Sequence, residues 1–220
     1  QAKETYGFIQ SNLFKGKQLW HTFQDEEAKI EGNLEDYAFT IEAALALYKN
    51  TGDLDYLNQA EELTKTTLQK FETTENPFFT FTEDPVLFSK IISVDDNVIP
   101  SSNAVMAENL WLLGELLGSK KYSTKAQEML ESMASYFSEG RGSDYSKWAQ
   151  LIAKKAYTLK EVVIVGPNAV KLAQEFQMHY LPNVVFQLSE VASDLPLLEE
   201  RYFENETLIY VCENKVCLRP

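Results

Sequence analysis

Two short acidic stretches carry the groups in this chain that could do chemistry. The first is Asp95-Asp96, followed by Asn97-Val98-Ile99-Pro100-Ser101-Ser102-Asn103; the second is Asp36-Tyr37, with Trp20 and His21 upstream. Asp36 and Asp96 are placed to act as a general acid and base, since paired carboxylates suit proton transfer to and from hydroxyl-bearing substrates. Tyr37, Asn103, Ser101, Trp20, His21 and Asp95 would be the substrate contacts, through hydroxyl, amide and aromatic groups that bind and stack on sugar faces. The same residues also have structural readings. Asp36 and Ser101 stand where helix caps stand, and Asp95-Asp96 reads as a turn pair. No histidine lies near Ser101 in sequence, so a serine nucleophile has no base beside it.

The elements around these residues follow from apolar spacing and caps. Asn33, with Asp36 three residues on, opens a helix through Tyr37, Ile41, Leu45 and Tyr48 that stops at Gly52. Asp53 caps a second helix carrying Leu57, Ala60, Leu63 and Phe71. A Ser cap at Ser101 opens an apolar helix closed by Gly118, and another helix runs from about Tyr122 to Phe137. These blocks repeat. Sliding the chain by 66 residues puts Ala38 on Ala104, Glu42 on Glu108, Gly52 on Gly118, Tyr56 on Tyr122 and Phe71 on Phe137. It also puts Asp36 on Ser102 and Tyr37 on Asn103. Glu42 and Glu108 recur inside otherwise apolar helices, which points to an internal hydrogen-bonding role.

Each unit is an α-hairpin preceded by a long loop with an aromatic stretch, Gln18–Phe23 in the first and Pro77–Thr82 in the second. Helical solenoids of period near 34 with short loops fit this pattern less well. The fold expected is mostly α: a partial (α/α)6-barrel-like toroid of α-hairpins over residues 1–158, with a small C-terminal α/β appendage over 159–220. The first strand and helix of that appendage are Glu161–Gly166 and Asn168–Tyr180, with Pro167 at the helix start. Residues 24–33 read as an acidic loop, 83–100 as an irregular run, and Gly140–Ser143 as a breakpoint.

Composition narrows the partners. The chain has 220 residues, 20 Lys and Arg against 33 Asp and Glu, and a net charge of −13. That argues against nucleic acid and anionic membranes. No 18-residue apolar run exists, so no membrane span is expected. His21 and His179 are far apart and the two cysteines are too few for a zinc site, so neither a metal nor a cofactor is expected. Cys212 and Cys217 face each other across a terminal hairpin with a two-residue turn at Asn214-Lys215, at the short edge of disulfide geometry. A bridge is possible there; two reduced thiols suit a cytoplasmic protein, the compartment expected here. The chain starts without Met inside a running helical pattern, as a fragment of a longer protein would.

The motifs also resemble a family. Leu34-Glu35-Asp36-Tyr37-Ala38-Phe39, Ala46-Leu47-Tyr48, Thr51-Gly52-Asp53, Asp96 through Ala104, Glu161–Gly166, Tyr180-Leu181-Pro182-Asn183 and the terminal cysteines are similar, in order, to those of the thioredoxin-domain proteins that include spermatogenesis-associated protein 20 and its bacterial relatives. Asp36, Tyr37, Asp96, Ser101 and Asn103 match the family motifs; Glu35, Asp95, Asn97, Ser102 and Ala104 depart from them. The resemblance implies a six-hairpin-glycosidase or N-acylglucosamine 2-epimerase-like barrel preceded by a thioredoxin-like domain. This chain would then be the C-terminal part, with carbohydrate-processing or carbohydrate-binding chemistry, an epimerase or glycosidase in the enzymatic case. A non-catalytic scaffold or interaction domain is the alternative. The partners implied are a small sugar and the preceding parts of the same protein, and a truncated toroid would expose an apolar edge open to self-association.

Overall fold

The computed structural model describes residues 1–82, 91–138 and 142–220. Residues 83–90 of the irregular run expected at 83–100, and Gly140-Arg141 of the breakpoint expected at Gly140–Ser143, lie outside the described residues. The helical layer contains α1 (Ala2–Leu13), α2 (Leu34–Thr51), α3 (Leu54–Phe71), α4 (Ser102–Leu117), α5 (Lys120–Ser132), the short α6 (Ala134–Ser138) and α7 (Ser146–Ala156). Helices α2/α3 and α4/α5 are the two hairpins of the repeat, and α2 packs along α4. Their boundaries are set locally. Asn33 and Asp36 form a capping box at the start of α2, Asp53 caps α3, and Ser101 caps α4. Gly52 and Gly118 end α2 and α4 in the left-handed region, at φ 68° and 66°.

The expectation of a mostly α, partial (α/α)6-barrel-like toroid with an appendage is corrected: the chain is an α/β mix with two sheets, and the strand Glu161–Gly166 and the terminal hairpin expected in the appendage belong to the second of them. The first is antiparallel, β1 (Phe14–Lys15), β2 (Gln18–Gln24) and β3 (Glu27–Glu31). The loop expected at 24–33 is largely the strand β3. Its charged residues Glu27, Lys29 and Glu31 hid it, although the tight turn at Asp25-Glu26, with φ 54° and 61°, is a two-residue hairpin turn. The second sheet has four strands in the order β5-β4-β6-β7, from β4 (Lys160–Val165), β5 (Val184–Ser189), β6 (Leu208–Glu213) and β7 (Val216–Cys217). It is mixed: β5 runs parallel to β4 through the crossover helix α8 (Ala169–Gln177), and β6 runs antiparallel to β4. Helix α8 starts after Asn168, so Pro167 precedes the cap and does not occupy the first helical turn.

The second sheet is built into the helical layer. Val185 belongs to the same apolar core as Ile41, Leu45, Leu110 and Leu113. The buried Gln187 amide donates to Leu116 O at 3.2 Å, and Gln177 of α8 donates to Lys49 O at 2.9 Å, so the sheet and its crossover helix close the C-terminal ends of α2 and α4. The result is an α/β arrangement.

Gly166 shows how tightly the sheet is closed. Its φ is 129°, and a Cβ there would stand 2.2 Å from Glu206 O and 2.7 Å from Thr207 Cα. Both obstacles are backbone. Gly166→Ala is expected to cost about 2–3 kcal/mol, from backbone strain plus the displaced 206–207 turn. Urea unfolding followed by circular dichroism measures it, and an unchanged midpoint would contradict the packing.

Candidate functional site

The N-terminal ends of α2 and α4 are joined by the aromatic segment 77–81. Phe81 O accepts the Leu34 N–H at 2.9 Å at the start of α2, and Phe79 exchanges hydrogen bonds with Asn103 in the first turn of α4. This segment, the aromatic stretch of the second unit, is a strap that bridges to Glu72 at Phe79. It supplies backbone groups to both helix ends, and the candidate residues are arranged about it.

Asp36 lies on one side. Its Oδ2 accepts the Asn33 N–H at 2.9 Å, and both carboxylate oxygens lie 2.9 Å from His21 Nδ1. The His21 side chain is 41% exposed and rests on β2. Tyr37 is fully buried, and its hydroxyl oxygen accepts the Leu19 N–H at 3.0 Å. Trp20, half-buried on β2, carries the Lys15 ammonium 4.5 Å from its ring centre. So His21 and Asp36 are brought together, while Tyr37 is turned into the core.

Asp96 lies on the other side. One oxygen accepts the Ser101 N–H at 2.9 Å, and the other accepts the Lys147 N–H at 2.7 Å, capping α7 from fifty-one residues away. Ser101 Oγ and Asn103 Nδ2 both donate to Ser93 O, at 3.3 and 3.0 Å. Asn103 is 1% exposed and Ser101 is buried, so both side chains are engaged inside the fold. Asp95 is exposed on the same loop. Asp36 and Asp96 share no hydrogen-bond partner among the described residues.

Beside Asp96 runs an open groove of about 590 Å³, lined among others by Pro100, Asp144, Ser146, Lys147 and Gln150. Lys147 leads inward from it. Its ammonium stands 2.8 Å from Glu42 Oε1 and 2.9 Å from Glu108 Oε2, and Lys154 pairs with the other Glu108 oxygen. Burial pushes the Glu108 carboxyl up, but Lys154 and Lys147 together outweigh it and hold it below the usual range. Burial likewise pulls Lys147 down, and Glu42 and Glu108 overcome it, so its ammonium is held charged. Lys49 of α2 is pulled below the usual lysine value, first by burial and then by the Lys154 charge. The repeat-equivalent glutamates are the ends of a charge network linking α2, α4 and α7, with Glu108 largely buried and Glu42 partly exposed. Lys147 and Lys154 complete the network. Their signal was the seven-residue spacing of Lys147 and Lys154, which puts both on one face of α7.

Two helical hairpins closed by a mixed sheet, with their candidate acids bound to backbone N–H groups, define an α/β protein of helical-hairpin type. No protein-family profile matches the chain. Among curated proteins it is similar to spermatogenesis-associated protein 20 of Homo sapiens, 28% identical over 203 residues, covering 86% of this chain and 26% of the relative. The protein of the same name from Mus musculus is 27% identical over 213 residues, covering 90% of this chain and 27% of the relative. An uncharacterized protein of Caenorhabditis elegans is 32% identical over 100 residues, covering 46% and 14%. The chain thus spans about a quarter of the length of the spermatogenesis-associated relatives it matches. Among the described residues no helix is long and apolar enough to cross a membrane.

Proposed function

We propose that this chain is a non-catalytic scaffold or interaction domain, in which the acidic motifs order loops and helix ends. The observation that supports it is the use of Asp96: both of its oxygens are committed to backbone N–H groups, at Ser101 and Lys147. These two charge-assisted bonds make the carboxylate a clamp between the start of α4 and the start of α7, which is a structural use of the group. On the family resemblance, the partners of the scaffold are the remaining parts of a longer chain, among them a thioredoxin-like domain. Asp96→Ala is then expected to lower stability by about 2 kcal/mol, the upper range for a lost cap, and to leave the binding of small ligands untouched.

A second reading is carbohydrate binding or processing, which the groove beside Asp96 and the His21–Asp36 pair favour. The groove is polar and open, with hydroxyl, amide, carboxylate and ammonium groups at hand. A carboxylate-oriented imidazole is the usual form of a general base. Thermal-shift measurements against monosaccharides, amino sugars and sugar phosphates separate the two readings. A ligand at 100 times its dissociation constant adds about 2.7 kcal/mol of stability. No shift with any of these sugars supports the scaffold. A shift that disappears in Gln150→Ala, with the unliganded melting point unchanged, overturns the scaffold and places the sugar in the groove.

A further inference from the structure

The C-terminal hairpin carries a chemical group that neither reading uses. Asn214 and Lys215 form its turn with φ 51° and 64°, which sets Cys212 opposite Cys217. The two sulfurs are joined in a disulfide. Cys212 is 1% exposed and packs with Val163, Val165, Leu197 and Leu198, whereas Cys217 is half-buried on the edge strand β7. An attacking thiol therefore meets Cys217 first.

Arg201 is aimed at this pair. Its Nη1 lies 2.8 Å from Cys217 Sγ and 3.8 Å from Cys212 Sγ. The guanidinium is braced on Tyr210, 4.7 Å from the ring centre. Among the described residues it makes no ion pair with a carboxylate. The acidic neighbours of the hairpin are otherwise engaged: Glu161, across from Cys212 on β4, accepts the Lys215 N–H at 3.3 Å, and Glu213 pairs with Lys160. A guanidinium gains little from the neutral sulfurs of a disulfide, which are weak acceptors. It gains much from thiolates, whose charge it stabilises.

We propose that Cys212–Cys217 is a thiol–disulfide exchange site that takes two electrons from a dithiol, with Arg201 holding the sulfurs as thiolates once reduced. A thiolate of the reductant attacks Cys217 Sγ. The S–S bond breaks, a mixed disulfide forms at Cys217, and Cys212 leaves as a thiolate beside Arg201. The second thiol of the reductant loses its proton and attacks its own sulfur in the mixed disulfide. Cys217 then leaves as a thiolate against Nη1. The dithiol becomes a disulfide, this chain becomes a dithiolate, and the two protons shed by the reductant balance the two thiolates. The reverse sequence reoxidises the pair.

The test uses the 220-residue chain with dithiothreitol as the dithiol and glutathione buffers to set the poise. Thiols are trapped by alkylation and assigned by peptide mass spectrometry. In the wild type, millimolar dithiothreitol should reduce the pair while the circular dichroism spectrum stays native. An opposite charge at this distance shifts a thiol's ionisation by a unit or more, so Arg201→Met should slow alkylation of reduced Cys217 about tenfold at neutral pH. Its midpoint should also move about tenfold toward stronger reductant, while Arg201→Lys keeps most of the wild-type behaviour. A pair that resists reduction until urea unfolds the chain is a structural staple, and that result overturns the proposal without any variant. So does a midpoint and an alkylation rate in Arg201→Met equal to those of the wild type.

Discussion

Asn103→Ala is expected to lower the unfolding free energy by about 3–4 kcal/mol, a large effect for removing one polar side chain. Asn103 Oδ1 accepts the Phe79 N–H at 2.8 Å, and its Nδ2 donates to Phe79 O at 3.0 Å and to Ser93 O at 3.0 Å. Ser93 O keeps a second donor in Ser101 Oγ, but the two Phe79 groups have no other partner among the described residues. Alanine leaves both buried and unpaired, and each such group costs about 1–3 kcal/mol. The strap of residues 77–81 also loses its hold on α4. Asn103→Asp should do no better, because a carboxylate can accept from Phe79 N–H but would face two carbonyl oxygens. The measurement is the urea midpoint with the slope held constant. A loss below about 1 kcal/mol would mean that the strap is held elsewhere.

Lys147→Met carries the second large effect, a loss of about 2 kcal/mol near neutral pH. Removing one partner from a fully buried ion pair costs about 3–5 kcal/mol. The Lys147 side chain is 13% exposed and that of Glu108 15%, but Glu42 is 40% exposed and Lys154 remains beside Glu108, so solvent and the second lysine hold the loss below that range. The pH dependence tests the cause. Glu108 has its carboxyl lowered from 4.5 in the folded state, so its contribution is present above that value and fades as the pH falls through the lower folded value. Lys147 has its ammonium raised from 10.5, so its contribution is full below that value and fades as the pH rises through the higher folded value. The deficit of the variant should be widest between these limits and shrink on both sides. A double cycle of Lys147→Met with Glu108→Gln should show coupling of about 1 kcal/mol or more. A deficit that does not change with pH would assign the loss to the lysine's packing stem instead.

The positions of the candidate residues follow from the helix starts, and their contacts do not. Asp36 stands in the first turn of α2, Asn103 in the first turn of α4, Ser101 at its cap, and Asp96 on the loop before it. Their hydrogen bonds, however, turn them toward the backbone. His21 was picked with Trp20 for its place on the aromatic stretch, and the structure joins it to Asp36. The toroid failed for a definite reason. Repeat-equivalent hairpins show that two units stack, but they do not say what covers their ends, and here a mixed sheet does.

What the sequence determined by itself is what acts within a few residues. The Asn33–Asp36 capping box, the Gly52 and Gly118 stops, the 66-residue repeat and the Asn214-Lys215 turn all rest on local torsions and near-neighbour hydrogen bonds. What only the tertiary structure decided is what acts across long separations. Asp96 meets the Lys147 backbone 51 residues on, Lys147 meets Glu42 across 105, and Arg201 crosses from the 195–202 segment to the hairpin sulfurs. Such contacts depend on how the packed layers bring distant segments together. The period of a helix or the pleat of a strand leaves that undetermined, because burial rewards any apolar face alike.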